Sequence, residues 1–136
     1  MAGVVKVTME KYVQDIIDGY QVTGKAATPA SVHLFDLRDS PVLSSDKSIE
    51  FHSRVAKLLY LAKRVRPDIL TPVAFLSTRT RKPTDDDQAK LNRVLRYINS
   101  TKEMGMILQC TKDITILVYA DADGKSHTGV YITLGR

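Results

Sequence analysis

Asp121 and Asp123 are the residues of this sequence best suited to hold a metal ion. Two carboxylates near one strand end could share a cation, because Ca²⁺ and Mg²⁺ prefer oxygen ligands. The pattern Asp-x-Asp-Gly also opens a calcium-binding loop, but the last position of that loop is Ile132, which has no carboxylate. The competing interpretation is that Asp123 and Gly124 form a hairpin turn and that Asp121 caps a strand end. The local sequence alone favours the turn.

A second acidic group, Asp85, Asp86 and Asp87, directly follows Thr84. Acids after a threonine are typical of a helix N-terminus, because negative charge in the first turn interacts favourably with the helix dipole. We therefore interpret them as a helix start rather than as a metal cluster. The histidines lie far apart without ligand spacing, and no set of Ser, Cys and His residues indicates a nucleophile. The one cysteine, Cys110, suits a small apolar position in a strand.

Positive charge is concentrated in one stretch of the chain. The 136 residues include 20 Lys or Arg and 15 Asp or Glu, which gives a net charge of +5. Residues 51–82 contain eight of the cations and one acid, Asp68, so this stretch alone has a net charge of +7. Such a surface can follow a phosphate backbone, and two later arginines extend it. The predicted nucleic-acid-binding residues are Arg54, Lys57, Lys63, Arg64, Arg66, Arg79, Arg81, Lys82, Arg93 and Arg96.

The competing interpretation of this stretch is a solvated helix face, which is what most charge runs are. Aromatic platforms for stacking bases are few. Tyr60 and Tyr97 qualify, but each suits the core equally well. The charge pattern by itself therefore leaves both interpretations open.

Apolar residues at helical spacing predict the elements that position these cations. They predict a short amphipathic helix over residues 8–20 and a stronger one over residues 51–65. Pro67 suits the first turn of a further helix, but Pro72 must either kink that helix or delay its start. Thr84 opens the last predicted helix.

Residues 106–110, 114–120 and 128–134 are rich in Ile, Val, Thr and Tyr and predict three strands. The expected fold is α+β, with three to four helices followed by a three-stranded antiparallel meander. We predict a helical region over residues 1–105 and the strands over residues 106–136. Apolar residues lie on both faces of the predicted strands, which therefore need cover on both sides. Their exposed edges predict self-association or a partner chain.

The whole-chain composition excludes several classes of protein. With 43% hydrophobic and 26% charged residues, the chain is too apolar for intrinsic disorder, and its length suits one domain rather than two large ones. The one cysteine cannot form an internal disulfide, and the sequence has neither a secretory signal nor a membrane-spanning run. We therefore expect an intracellular protein of the cytoplasm or nucleus, with no membrane partner.

Three runs of residues carry a family resemblance: FHSRVAKLLYLAKRVRPDIL, KLNRVLRYINSTKEMGMIL and VYADADGKSHTGVYITLG. Together they resemble the copia-type retrotransposon polyprotein, where the reverse transcriptase thumb and connecting region run into ribonuclease H. The resemblance spans roughly residues 8 to 135. The ordered series LLYLA, RPDI, RVLRYI, an Asp-bearing strand and TGV makes it specific.

The resemblance implies a set of roles. The helices would grip the backbone of primer and template, an RNA/DNA hybrid, and the strands would be an incomplete ribonuclease H-like sheet. Asp121 would be the remnant of the first acidic ligand of ribonuclease H, for Mg²⁺ in the intact parent enzyme. The family's Tyr-x-Asp-Asp polymerase motif has no match here, and the loop between Asp121 and TGV is shorter than usual. We therefore expect a truncated chain that is inactive alone and has no cofactor of its own.

These observations lead to three hypotheses about function. In the first, the chain is a fragment of a retrotransposon reverse transcriptase and ribonuclease H that binds nucleic acid through its basic helices. In the second, it is a structural or interaction module that pairs its strands with another copy or with the rest of the polyprotein. In the third, which we favour least, Asp121 supports residual ribonuclease H activity with carboxylates from a partner chain.

Overall fold

Helices form the middle of the chain, and strands lie on either side of them in the sequence. The computed structural model describes residues 3–110, 116–122 and 128–134, and the side chains of residues 3–109. In chain order the elements are β1 Gly3–Val7, α1 Glu10–Gly19, α2 Ser45–Arg64, a 3-10 helix Pro67–Ile69, α3 Leu70–Ser77, α4 Asp85–Ser100, β2 Met106–Cys110, β3 Ile116–Ala122 and β4 Thr128–Leu134. The predicted α+β class is confirmed, with four α-helices among the described residues. None of those helices is long and apolar enough to cross a bilayer.

The chain divides into two compact units. The helical unit runs from Thr8 to Gly105, and the strand unit combines β1 with the three later strands.

The core of the helical unit is built from one apolar stripe on each helix, as helical spacing predicts. α1 is short and contributes Val13, Ile16 and Ile17, which are buried. The longer α2, together with α3 and α4, supplies the largest fully buried apolar side chains. These include Phe51, Leu58, Leu61, Leu76, Leu91 and Ile98.

The start of α4 confirms the prediction made from Thr84 and the acids that follow it. The Thr84 hydroxyl accepts a hydrogen bond from the Asp87 backbone N–H at 3.3 Å. The Asp87 carboxylate accepts one from the Thr84 backbone N–H at 3.0 Å. This reciprocal pair is a capping box, which satisfies two backbone donors at the helix start. Asp87 is buried as a result and belongs to the helix start.

Pro72 lies in the first turn of α3, directly after the 3-10 helix. A proline there removes no helical hydrogen bond, because the first N–H groups of a helix have no partner within it. Pro72 therefore does not interrupt α3, and the α-helix starts late, at Leu70, as the second alternative predicted. The 3-10 helix begins at Pro67, and α3 follows it without interruption.

The four strands form two antiparallel ladders rather than one sheet. β1 pairs with β2, so that Val5 lies opposite Leu108, and β3 pairs with β4, so that Asp121 lies opposite Gly129. The predicted three-stranded meander is not shown by the described strands, because β2 pairs with β1 instead. Sequence analysis did not predict β1, which is five residues long and distant in sequence from its partner.

Candidate nucleic-acid interface

α2 carries most of the exposed positive charge of the predicted interface. Lys57, Lys63 and Arg64 are exposed, and Arg54 is half-buried about one turn before Lys57. No Asp or Glu occurs from Phe51 to Arg64, although Glu50, directly before this segment, lies 3.7 Å from Arg54 Nη2. We call Arg54, Lys57, Lys63 and Arg64 the α2 cations.

Tyrosine rings lie beneath three of the α2 cations. The Arg54 guanidinium carbon lies 4.4 Å from the centroid of the Tyr20 ring, and Lys57 Nζ lies 5.2 Å from the same centroid. The Arg64 guanidinium carbon lies 4.7 Å from the centroid of the Tyr60 ring. Each such contact is worth about 0.5–1 kcal/mol at an exposed site. The rings therefore restrict the positions of these cations before any ligand arrives.

Tyr12 joins α1 to this cluster. Its ring centroid lies 5.5 Å from that of Tyr60, and its hydroxyl donates a hydrogen bond to the Lys57 carbonyl at 3.3 Å. Burial raises the pKa of the Tyr12 hydroxyl; the positive charge of Lys57 opposes this rise, and the Tyr60 and Tyr20 hydroxyls add to it. Tyr12 is thus a neutral donor near pH 7. Tyr12 and Tyr20 were both missed as members of this cluster by sequence reasoning.

Arg66 was wrongly predicted to bind nucleic acid, because its side chain is completely buried. Its guanidinium donates to the two carboxylate oxygens of Asp68 at 3.0 and 2.9 Å. It also donates to the Thr101 carbonyl at 2.9 Å and to the Thr101 hydroxyl at 2.7 Å. A buried charge is tolerated only when it is paired in this way. Arg66 therefore has no surface to offer a phosphate.

Tyr97 completes the network around Asp68. Its hydroxyl donates to Asp68 Oδ2 at 2.6 Å, and its side chain is buried, so it is a core residue and not a stacking platform. Burial acts to raise the pKa of Asp68, but hydrogen bonds from Arg66 and Tyr97, with the charge of Arg66, hold that pKa below its usual value. The pKa of Tyr97 is raised by burial and by its hydrogen bond to the charged Asp68. The network ties the 3-10 helix to the end of α4.

Arg79 is also engaged within the protein. Its Nε lies 3.2 and 3.1 Å from the two carboxylate oxygens of Asp87, the buried acid of the capping box. Arg81 and Lys82 follow in the connection between α3 and α4, and both are exposed.

The two predicted cations of α4 hold a loop against that helix. Arg93 donates from Nη2 to the Thr28 hydroxyl at 2.8 Å and from Nε to the Thr28 carbonyl at 3.3 Å. The side chain of Arg96 lies against Gly24, where a Cβ atom would be 3.3 Å from Arg96 Cδ. Gly24 has a positive φ of 87°, which favours glycine on its own account. The structure thus places both arginines in contact with the protein's own loop.

The predicted metal ligand Asp121 lies inside β3, one residue before its end. Asp123 lies outside the described residues. Among the residues that the structure describes, no three His, Cys, Asp or Glu side chains come together as a metal site. A magnesium site at Asp121 stays a prediction from the resemblance, and no chemical step is assigned to it.

Comparison with known proteins identifies relatives of this chain. It is 32% identical over 127 residues to the putative transposon Ty5-1 protein of Saccharomyces cerevisiae, which covers 81% of this chain and 41% of that protein. It is 37% identical over 84 residues to the retrovirus-related Pol polyprotein from transposon RE2 of Arabidopsis thaliana, which covers 62% of this chain and 6% of the polyprotein. It is also 32% identical over 77 residues to the secreted RxLR effector protein 161 of Plasmopara viticola, covering 57% of this chain and 54% of that protein. No protein-family model matches the chain, and no solved structure is significantly similar to it.

These relatives confirm the resemblance that the sequence motifs indicated. The chain is homologous to part of a copia-like retrotransposon Pol polyprotein. It spans less than half of the Ty5-1 protein and a small part of the RE2 polyprotein.

Proposed function

We propose that this chain is a reverse transcriptase thumb and connection segment of a retrotransposon Pol polyprotein that binds the backbone of an RNA/DNA hybrid through the α2 cations. The observation that carries the proposal is the set of cations held over tyrosine rings on a helical segment without acids. Homology to Pol polyproteins supports the origin of the segment.

The arrangement of rings and cations favours contact with phosphates rather than with bases. A tyrosine that stacks on a base must present a free ring face. At Tyr20 and Tyr60 a cation covers a ring face, and Tyr60 also packs against Tyr12. Lys57, Lys63 and Arg64 are exposed, where each can displace counterions from a phosphate, whereas Arg54 is half-buried. Arg81 and Lys82 are exposed and are available to contribute in the same way.

The proposal assigns binding to this chain and no catalytic step. Two-metal phosphoryl transfer needs several carboxylates around ions about 4 Å apart. The resemblance supplies only Asp121 for that role, so ribonuclease H chemistry would need acids from elsewhere.

Titration of a fluorescently labelled RNA/DNA hybrid at two salt concentrations tests the proposal. Each phosphate contact contributes about −0.9 to the slope of log affinity against log salt, so three exposed α2 cations give a slope near −2.7. The affinity is then expected to fall about 40-fold between about 50 and 200 mM salt. Absence of binding at the lower salt concentration would contradict the proposal, and so would an affinity that does not change with salt.

A second candidate function is association through the β1 and β2 strands. Val4 and Val5 are 64% and 59% exposed, and Leu108, which lies opposite Val5 on β2, is 46% exposed. A ladder of two strands is marginally stable in water by itself, and exposed apolar strands attract further strands. Light scattering over a range of protein concentrations separates this candidate from the first. Self-association that the substitution Val5→Lys removes would support it, and a monomer at high concentration would count against it.

A further inference from the structure

Three hydroxyl residues directly precede a proline in this chain: Thr28, Ser40 and Thr71. Thr71 lies inside α3, where the backbone is helical. Thr28 and Ser40 lie in the irregular connection between α1 and α2. A residue before proline is biased towards an extended backbone, the conformation that a modifying enzyme can thread through its active site. Only these two of the three are therefore candidate substrates.

The Thr28 hydroxyl already lies against a cation. It accepts a hydrogen bond from Arg93 Nη2 at 2.8 Å and donates one to the Ala30 carbonyl at 3.2 Å. Arg93 Nε donates to the Thr28 carbonyl, so the guanidinium contacts both the backbone and the side chain of Thr28. Thr28 is exposed, which leaves its hydroxyl side open to an incoming enzyme.

The surroundings of Arg93 on α4 are positive. Residues three and four positions away on a helix are its surface neighbours. For Arg93 these are Ala89, Lys90, Arg96 and Tyr97, none of which is acidic. A doubly negative group on Thr28 would therefore meet the Arg93 guanidinium with Arg96 one turn further along the same helix, while Lys90 is paired with Asp86.

Ser40 offers the opposite environment. Its hydroxyl accepts a hydrogen bond from the Asp86 backbone N–H at 3.0 Å, and the next residue, Pro41, accepts one from Asp85. Asp85, Asp86 and Asp87 crowd this site with negative charge, although Lys90 pairs with Asp86 at 3.1 Å. The carboxylates repel a phosphate here while the N-terminus of α4 attracts it, so the two effects oppose each other at Ser40.

We infer that Thr28 is a phosphorylation site for a proline-directed protein kinase, and that the phosphate locks the loop around Thr28 onto α4 through Arg93. In the transfer the Thr28 Oγ attacks the γ-phosphorus of ATP. The new O–P bond forms as the bond to the β,γ-bridging oxygen breaks, ADP leaves, and the hydroxyl proton passes to the kinase's carboxylate base. The phosphate oxygens then accept the Arg93 donors in a bidentate pair of opposite charges, which is stronger than the hydrogen bond from Arg93 to the uncharged hydroxyl that it replaces.

The test treats the full chain with a purified proline-directed kinase and Mg-ATP, maps the phosphate by mass spectrometry and measures thermal unfolding. We expect the phosphate on Thr28 and a rise in Tm of about 4 °C over the untreated chain. In Arg93→Gln, which keeps a neutral donor, Thr28 is still modified but the rise in Tm disappears. Thr28→Ala is the control for the site of transfer.

A second pair of variants keeps the inference testable without the kinase. Thr28→Glu is expected to raise Tm above that of Thr28→Ala. The inference is overturned if the kinase leaves Thr28 unmodified, or if phosphorylated Thr28 shifts Tm equally with and without Arg93. None of these measurements involves nucleic acid. A negative result for phosphorylation is therefore distinguishable from a negative result for the proposed binding function.

Discussion

Two groups of cations from the same basic region of the sequence have different fates in the folded chain. The α2 cations lie on the helix surface, three of them over tyrosine rings. Arg66 and Arg79 belong to the same 51–82 stretch but are paired with Asp68 and Asp87 inside the helical unit. Arg93, which extends the stretch, holds a loop. A count of charges along the chain therefore overstates the charge available to a ligand.

The difference follows from where each cation lies relative to the end of α2, at Arg64. Lys63 and Arg64 come one and two residues after the buried Ala62, outside the apolar stripe, and are exposed to solvent. Arg66 lies beyond the end of α2, directly before the 3-10 helix, and its side chain is buried. A buried guanidinium must find partners, which Asp68 and Thr101 supply. The same residue type is thus exposed on the helix or structural just beyond it.

The largest expected effect that distinguishes the two groups is on stability. Arg66→Ala leaves Asp68 and Tyr97 without their buried partner and should lower the free energy of unfolding by about 3–5 kcal/mol. Lys63→Ala, the matched control on α2, should change it by no more than about 0.5 kcal/mol. Urea denaturation measures both. An Arg66→Ala loss as small as that of Lys63→Ala would show that the buried network does not stabilise the fold.

A smaller change in the free energy of unfolding is expected at low pH, because the pKa of Asp68 is lowered in the folded chain. A carboxyl group whose pKa is lower in the folded state stabilises the fold above its unfolded pKa of about 3.9. That contribution is lost as the pH falls through the folded pKa. The difference in unfolding free energy between the wild type and Asp68→Asn should therefore be largest near neutral pH and should shrink below about pH 4. A difference that stays constant with pH would contradict the described role of Asp68.

The helices could be predicted from the sequence because each has a local signal. Apolar spacing marks α1, α2 and α4, and Thr84 with the acids after it marks the start of α4. The pairing of β1 with β2 joins residues about a hundred positions apart, so no local pattern indicates it. The start of α3 could be predicted only as one of two alternatives, because the 3-10 helix takes up the turn that Pro67 opens.

The candidate site could be predicted only in part. The exposed α2 cations follow from their position outside the apolar stripe, whereas Arg66 lies beyond the end of α2, where helical spacing does not predict burial. The cluster formed by Tyr12, Tyr20 and Tyr60 was less accessible, because its contacts depend on how α1 packs against α2. The sequence nonetheless contains one indication of this cluster. Tyr20 follows directly after the amphipathic helix α1, and α2 supplies cations that can cover its ring.

The most direct test of the central claim compares two variants that lose the same charge. The first removes the α2 cations Lys57, Lys63 and Arg64 by substitution to Ala; the second removes the exposed lysines Lys6, Lys11 and Lys25, which lie outside α2. Binding of the labelled RNA/DNA hybrid is measured for both at about 50 and 200 mM salt. We expect the first variant to lose about 2.7 from the magnitude of the salt slope and the second to keep the wild-type slope. Equal losses in the two variants would show that net charge, and not the α2 surface, determines binding.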